Sequence, residues 1–321
     1  VLSFTILLIV TIGLNHVSNG FIATRISSLV TDVKVIIGMK EGTPPSRDDL
    51  PLKDIRLNGN HGTVIIDSET LNFTYEDSSL SFSDGNNKII KSSYDLESGL
   101  ITLDDSIYQD FTLTFGQMNN NTLLVLEKDT IQLIFDLNSE KIGLVDNKGN
   151  EVSLEPVESW GFEGYELIGS SRGYIWSRSL PLLKDHLLFG YGPDTFAIAF
   201  PQHDIFGKMH AYDGDMWHLV DKPHNMYLQI AINTGIISLL AFLLLVGYYL
   251  YHSFRIYLSN ALDEFLPQVG VGVTVAIVGY LGAAMFNDSV VSVAPIFWCL
   301  LGLGVSINYI VVKQLHGKHN K

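Results

Sequence analysis

Three stretches of the chain are apolar for the length of a bilayer: residues 232–250 (INTGIISLLAFLLLVGYYL), 269–286 (VGVGVTVAIVGYLGAAMF) and 293–312 (VAPIFWCLLGLGVSINYIVV). A hydrocarbon core of roughly 30 Å is crossed by about 20 apolar residues in a helix, because every backbone N–H and C=O must find its partner inside the segment. These runs therefore predict three spanning helices over 232–312, followed by a short tail, 313–321. A fourth run, 1–14, starts without methionine and is apolar from its first residue. It is read as the end of a spanning helix (1–22) whose beginning precedes Val1. The competing reading is a cleaved signal peptide, but this run has neither a charged start nor a small-residue cleavage site.

The charges lie elsewhere. Of 34 acids and 20 bases, residues 23–225 hold 31 and 16, so that stretch carries −15 of a total of −14. A large polar region that is acidic does not suit nucleic acid, which needs a basic surface. The single cysteine, Cys299, lies in an apolar run, which excludes a disulfide framework and a thiolate metal cluster. Lys and Arg near the span ends set orientation. Arg255 lies in the first short connection and Lys313, Lys318 and Lys321 in the tail, whereas the 287–292 loop has only Asp288. The tail is thus expected in the cytoplasm and residues 23–231 outside it. The glycines and alanines of the second full span (Gly270, Gly272, Gly279, Gly282, Ala283, Ala284) suit close helix packing in lipid.

The outer segment is far longer than a connection requires, which points to function. Residues 23–54, with Pro44-Pro45, are read as linker. Residues 55–155 alternate with period two in short runs, such as 63–66, 71–75, 80–82, 111–115 and 131–135, separated by turn signals at 84–87 and 147–150. That pattern predicts an antiparallel β-sandwich. Its acids are scattered over turns with no glycosidase-like couple, so the module is read as structural or glycan-contacting. The expected fold is a polytopic α-helical membrane protein whose large extracytoplasmic loop contains an inserted β-sandwich-like module.

Residues 156–231 carry the residues with chemistry. Arg172-Gly173-Tyr174-Ile175-Trp176 opens an amphipathic helix with Ile175, Ser179 and Leu182 on one face. Gly190-Tyr191-Gly192-Pro193 is read as a tight turn with Pro193 at a first helical position; it lacks the Gly-Lys-Ser/Thr of a phosphate loop. Four histidines between 203 and 224, with Asp204, Asp213, Asp215 and Asp221, raise a metal site, but their spacing matches no ligand signature. His224 stands apart: Pro223 places it at a helix start beside a span, with Tyr227 and Leu228 on its face. A helix start favours neutral imidazole, which can accept a proton at ordinary pH. The alternative is an interfacial histidine that only caps or packs.

In order, Arg172 to Trp176, Gly190 to Phe196, Pro223-His224-Asn225-Met226-Tyr227-Leu228-Gln229, and Thr234-Gly235-Ile236 entering a span resemble the O-antigen ligase and polymerase family of bacterial membrane glycosyltransferases. The resemblance covers Gly169 to the C-terminus and leaves out the β-rich module. It implies metal-independent transfer of a glycan from a polyprenyl-pyrophosphate carrier to an acceptor hydroxyl on a glycan or lipid, outside the bacterial cytoplasmic membrane and without a cofactor. It matches His224 to the family's general base and Arg172 to the arginine that binds the pyrophosphate. Guanidinium is suited to the latter as a permanently charged bidentate fork. Arg178 ranks second for the same role. The family has about three times as many spans and a further arginine at a membrane boundary; Arg25 lacks its local pattern, so that arginine is expected before Val1 and the chain alone is expected to be inactive. The competing function is a non-enzymatic membrane anchor whose β module binds a glycan or partner; a metal hydrolase using the 203–224 histidines is a third reading.

Overall fold

The computed structural model describes residues 13, 15–36, 46–95, 97–118, 121–137, 141–259 and 263–319. Residues 1–12 and 14 of the expected first span (1–22) thus lie outside the described residues, as does the 37–45 part of the linker. The chain divides into two compact units: Val1–Tyr174 with Pro201–Leu219, and Ile175–Phe200 with Val220–Lys321.

In the first unit, α1 (Phe21–Ile36) replaces much of the expected linker. Apolar residues at 22, 26, 29, 30 and 33 recur at helical spacing, a signal that outweighs the prolines farther on. Among the described residues eleven strands follow, and the first begins at Leu52 rather than after residue 54: β1 (Leu52–Asn58), β2 (His61–Ile66), β3 (Glu69–Glu76), β4 (Ser79–Asp84), β5 (Ile89–Ile90), β6 (Ser92–Tyr94), β7 (Leu100–Leu103), β8 (Thr112–Met118), β9 (Asn121–Lys128), β10 (Ile131–Leu137) and β11 (Ile142–Val145). They form two antiparallel sheets in plain sequential order, β1 to β5 and β6 to β11, and the chain changes sheet once, at Lys91. Two-residue connections join β1 to β2, β2 to β3, β3 to β4, β8 to β9 and β9 to β10, and the other links within each sheet are longer. At the β3–β4 turn both Asp77 and Ser78 have positive φ, the geometry whose twist suits a tight hairpin.

Period-two alternation turns one side chain in two inward. Val64, Ile66, Leu71 and Phe73 of one sheet and Leu124, Leu126, Leu133 and Phe135 of the other are buried in a single core. The rings of Phe73 and Phe135 meet at 4.9 Å. Each such side chain contributes about 1.5–3 kcal/mol by leaving water. Lys128 is also buried, and its Nζ ties β9 to the β2–β3 corner through Asp67 at 3.0 Å and Glu69 at 2.7 Å. Residues 201–219 belong to this unit through α4 (Ile205–Ala211), whose Ile205 and Met209 enter the same core.

Among the described residues, the second unit holds three helices long and apolar enough to cross a membrane: α5 (Met226–Ser259), α6 (Phe265–Ala283) and α7 (Ala294–His319). Their apolar contacts centre on Phe242, Tyr249, Val273, Ile277 and Phe297. Polar ties hold them as well: Tyr257 Oη donates to Asn308 Oδ1 at 2.7 Å, and Asn308 Nδ2 donates to Ser253 Oγ at 2.8 Å. The expected role of small residues holds at Gly270, where a Cβ would strike the Tyr257 hydroxyl. It fails at Gly272, Gly279 and Gly282, where an added Cβ would meet open space. Their spacing puts them on a helix face that none of the described residues covers.

Candidate active site

The 156–231 stretch is built of short elements: α2 (Ile168–Ser179), a 3-10 turn at Leu180–Lys184, α3 (Phe196–Ala199) and α4. Gly169, Ser170 and Ser171 at the start of α2 are all left-handed, so regular helix begins at Arg172. That strained start is held from several sides. The Gly169 amide donates to Asp32 Oδ2 at 3.0 Å, and Ser171 Oγ donates to the Ala211 carbonyl at 2.5 Å. Gly173 follows because the chain at Tyr165 passes so close that a Cβ would overlap its carbonyl. Arg172 is half-buried here, and its Nη1 donates to the Gly169 carbonyl. As expected from spacing, Ile175 and Ser179 are buried and Leu182 is half-buried. Arg178 donates from Nη1 to Ser177 Oγ at 2.9 Å.

The Gly190-Tyr191-Gly192 element is a turn, but its purpose is distant in sequence. Gly235 breaks α5 with φ 85° and ψ 170°, a conformation open to glycine alone. The break frees backbone groups that the 187–192 segment takes up. Tyr191 N donates to Ile232 O at 2.9 Å, Gly192 N to Asn233 O at 2.8 Å, and Ile236 N to Leu187 O at 2.8 Å. A Cβ on Gly235 would overlap the Leu188 carbonyl, and one on Gly190 the backbone of Ile232 and Asn233. Both glycines thus exist for this close approach. Pro193 does not start a helix: Asp194 has φ 55°, and α3 begins only after Thr195, whose Oγ1 bonds back to Gly192 O at 2.7 Å.

His224 also departs from expectation. It is not in the first turn of α5 but two residues before it, in a left-handed conformation with φ 48°. Asn225 takes the capping place, because its Oδ1 accepts from Leu228 N at 3.0 Å. The His224 side chain consequently leaves the helix face of Tyr227 and Leu228. It meets Asp288 instead, Nδ1 to Oδ2 at 2.8 Å. The Asp288 side chain is only 5% exposed while that of His224 is 42% exposed. Asp288 Oδ1 is buried with no hydrogen-bond partner among the described residues.

The surroundings fix this pair. Trp176 Nε1 donates to the Pro223 carbonyl at 2.8 Å, holding the backbone just before the histidine. Met226 N donates to Ala284 O at 2.9 Å, Tyr227 Oη to Leu281 O at 2.8 Å, and Ser289 N to Gln229 Oε1 at 3.1 Å. Together these join the start of α5 to the end of α6 and to the loop that carries Asp288. With Nδ1–H directed at a carboxylate, the Nε2 of a neutral imidazole carries the lone pair. Asp288 was missed from sequence, where it registered only as the one charge of a short loop.

The other histidines do not converge on a metal. His218 lies 3.5 Å from Asp215 and stacks on Tyr212, and among the described residues no group of three His, Cys, Asp or Glu is placed to hold an ion. The structure thus brings together His224, Asp288 and Trp176 in the second unit, which also contains Arg178; Arg172 belongs to the first unit with its own partners.

Residues 124–243 match the family model described as O-Antigen ligase. The match starts inside β9, so it takes in the last strands of the β module as well as the motifs, and it stops within α5 rather than reaching the C-terminus. No curated protein and no solved structure matches the chain.

Proposed function

We propose, for a chain whose residues 124–243 match the O-antigen ligase family, transfer of a glycan from a polyprenyl-pyrophosphate carrier to an acceptor hydroxyl, with His224 as general base. Glycan transfer of the ligase or polymerase type is what the family implies, and three membrane-length helices agree with a lipid-held donor. The observation that carries the catalytic assignment is the 2.8 Å contact of His224 Nδ1 with the buried Asp288 carboxylate.

The chemistry follows from that contact. Asp288 holds the imidazole in one tautomer and orientation, so that Nε2 is the basic nitrogen. The acceptor O–H gives its proton to Nε2 as its oxygen bonds to the anomeric carbon of the donor. The bond from that carbon to the pyrophosphate oxygen breaks, and polyprenyl pyrophosphate leaves. Asp288 stabilises the imidazolium formed, since the carboxylate has no other partner among the described residues. We assign the leaving pyrophosphate to Arg172 on the resemblance of its motif, with Arg178 as the second candidate. The transfer is proposed to need no metal, so chelators should leave it unchanged. Residues 23–231 are proposed to lie outside the bacterial cytoplasmic membrane and the C-terminus inside.

The test is His224→Ala and Arg172→Lys in the protein as expressed by its own cell, scoring surface polysaccharide. Each variant should lose most of the activity while remaining in the membrane. A non-enzymatic anchor would tolerate both, and unchanged polysaccharide in both would overturn the proposal.

A further inference from the structure

The β module contains a cleft that the transfer chemistry does not use. It opens between the two sheets, beside the β3–β4 hairpin and strands β6 to β9, and measures about 680 Å³. That is within the usual range of about 300–1,000 Å³ for small-molecule sites. Its floor is apolar, with Phe82 and Ile101 buried. Tyr75, Tyr94 and Phe115 supply aromatic walls. Tyr94 lies on the outermost strand of its sheet, is 49% exposed, and stands edge-on to Phe115 with ring centroids 5.3 Å apart.

The polar lining consists of hydroxyls and an amide, including Ser79, Ser92 and Gln117. Among the described residues, no Asp, Glu, Lys or Arg lines the cleft, although the chain carries −14. Such a surface has nothing with which to neutralise a phosphate or ligate a cation. It offers what an uncharged sugar uses: ring faces against which apolar C–H groups pack, and neutral groups that both donate and accept hydrogen bonds. Solvated turns explain the module's scattered acids, but they do not explain one exposed and two half-buried aromatic rings gathered around a hollow with no charged side chain among its described lining.

We propose that the cleft between the two sheets, walled by Tyr75, Tyr94 and Phe115 and edged by Gln117, binds an uncharged oligosaccharide. The site shares no residue with the transfer chemistry, so either can fail without the other.

The experiment uses the full chain in lipid nanodiscs, free of sugar detergents, titrated with cellopentaose, maltopentaose, mannopentaose and chitopentaose, and with penta-galacturonate as an acidic comparison. At least one neutral probe should saturate at or below millimolar concentration. Tyr94→Ala and Gln117→Ala should each weaken it at least tenfold, and His224→Ala should leave it unchanged. Both substituted side chains are at the surface, and an unaltered β signal in circular dichroism verifies the fold. The proposal is overturned if no neutral probe binds, if the acidic probe binds as tightly, or if neither variant weakens binding.

Discussion

His224 and Asp288 meet at 2.8 Å although they lie at opposite ends of the α5–α6 helix pair and its connecting loop, one before α5 and the other after α6. An exposed imidazole on a buried carboxylate is the arrangement in which a histidine takes up a proton with least reorganisation.

Replacement of Asp288 by Asn therefore gives the sharpest test. The shape is kept, but the charge that stabilises the imidazolium is lost and the imidazole can turn. Transfer should fall about 100-fold or more, with membrane abundance unchanged. Activity within threefold of the parent would remove Asp288 from the mechanism.

Gly235→Ala should destabilise the second unit. Its φ of 85° with ψ of 170° is closed to alanine, and the new methyl would overlap the Leu188 carbonyl. A loss of at least about 2 kcal/mol is expected from backbone strain alone. Thermal unfolding in detergent, followed by size-exclusion fluorescence, would register it; Gly272→Ala, with open space around it, serves as the neutral comparison.

Lys208 sets a pH dependence in the first unit. Burial lowers its ammonium from 10.5 to about 8, against the opposing pull of Asp204 and Asp215. Between those two values the unfolded chain binds a proton that the folded chain does not, so this group makes stability rise with pH there. Below pH 8 both states are charged, and the buried cation costs about 3 kcal/mol. Lys208→Met should consequently be the more heat-stable at pH 7, and its advantage should shrink by pH 10. Unfolding curves that stay parallel at the two pH values would contradict this.

Much of the fold was legible in the sequence because its signals are local. Apolar runs marked α5, α6 and α7, and the alternation at residues 63–66 and 71–75 fell on strands that bury alternate side chains, while the run at 131–135 fell on a strand buried on both faces. The site was legible only in part. His224 stood out by its neighbours, but its partner depended on how two helices return to one end. Nothing near Asp288 in sequence records that. Likewise the Gly190-Tyr191-Gly192 turn was recognisable as a turn, whereas its bonds to the broken α5 depend on a glycine far along the chain. Asn225 outcompeted His224 for the cap because a short amide side chain reaches the helix amides that an imidazole does not.

The loop that bears Asp288 is fastened on both sides, by the Ala284 carbonyl before it and by the Ser289 amide after it. It therefore works as a ruler with no slack. An epitope tag or enzyme reporter spliced between these fastenings would swing the carboxylate off its partner, and the resulting loss of polysaccharide would be mistaken for a misassigned membrane side. Sidedness is better read from fusions placed elsewhere, such as after α7.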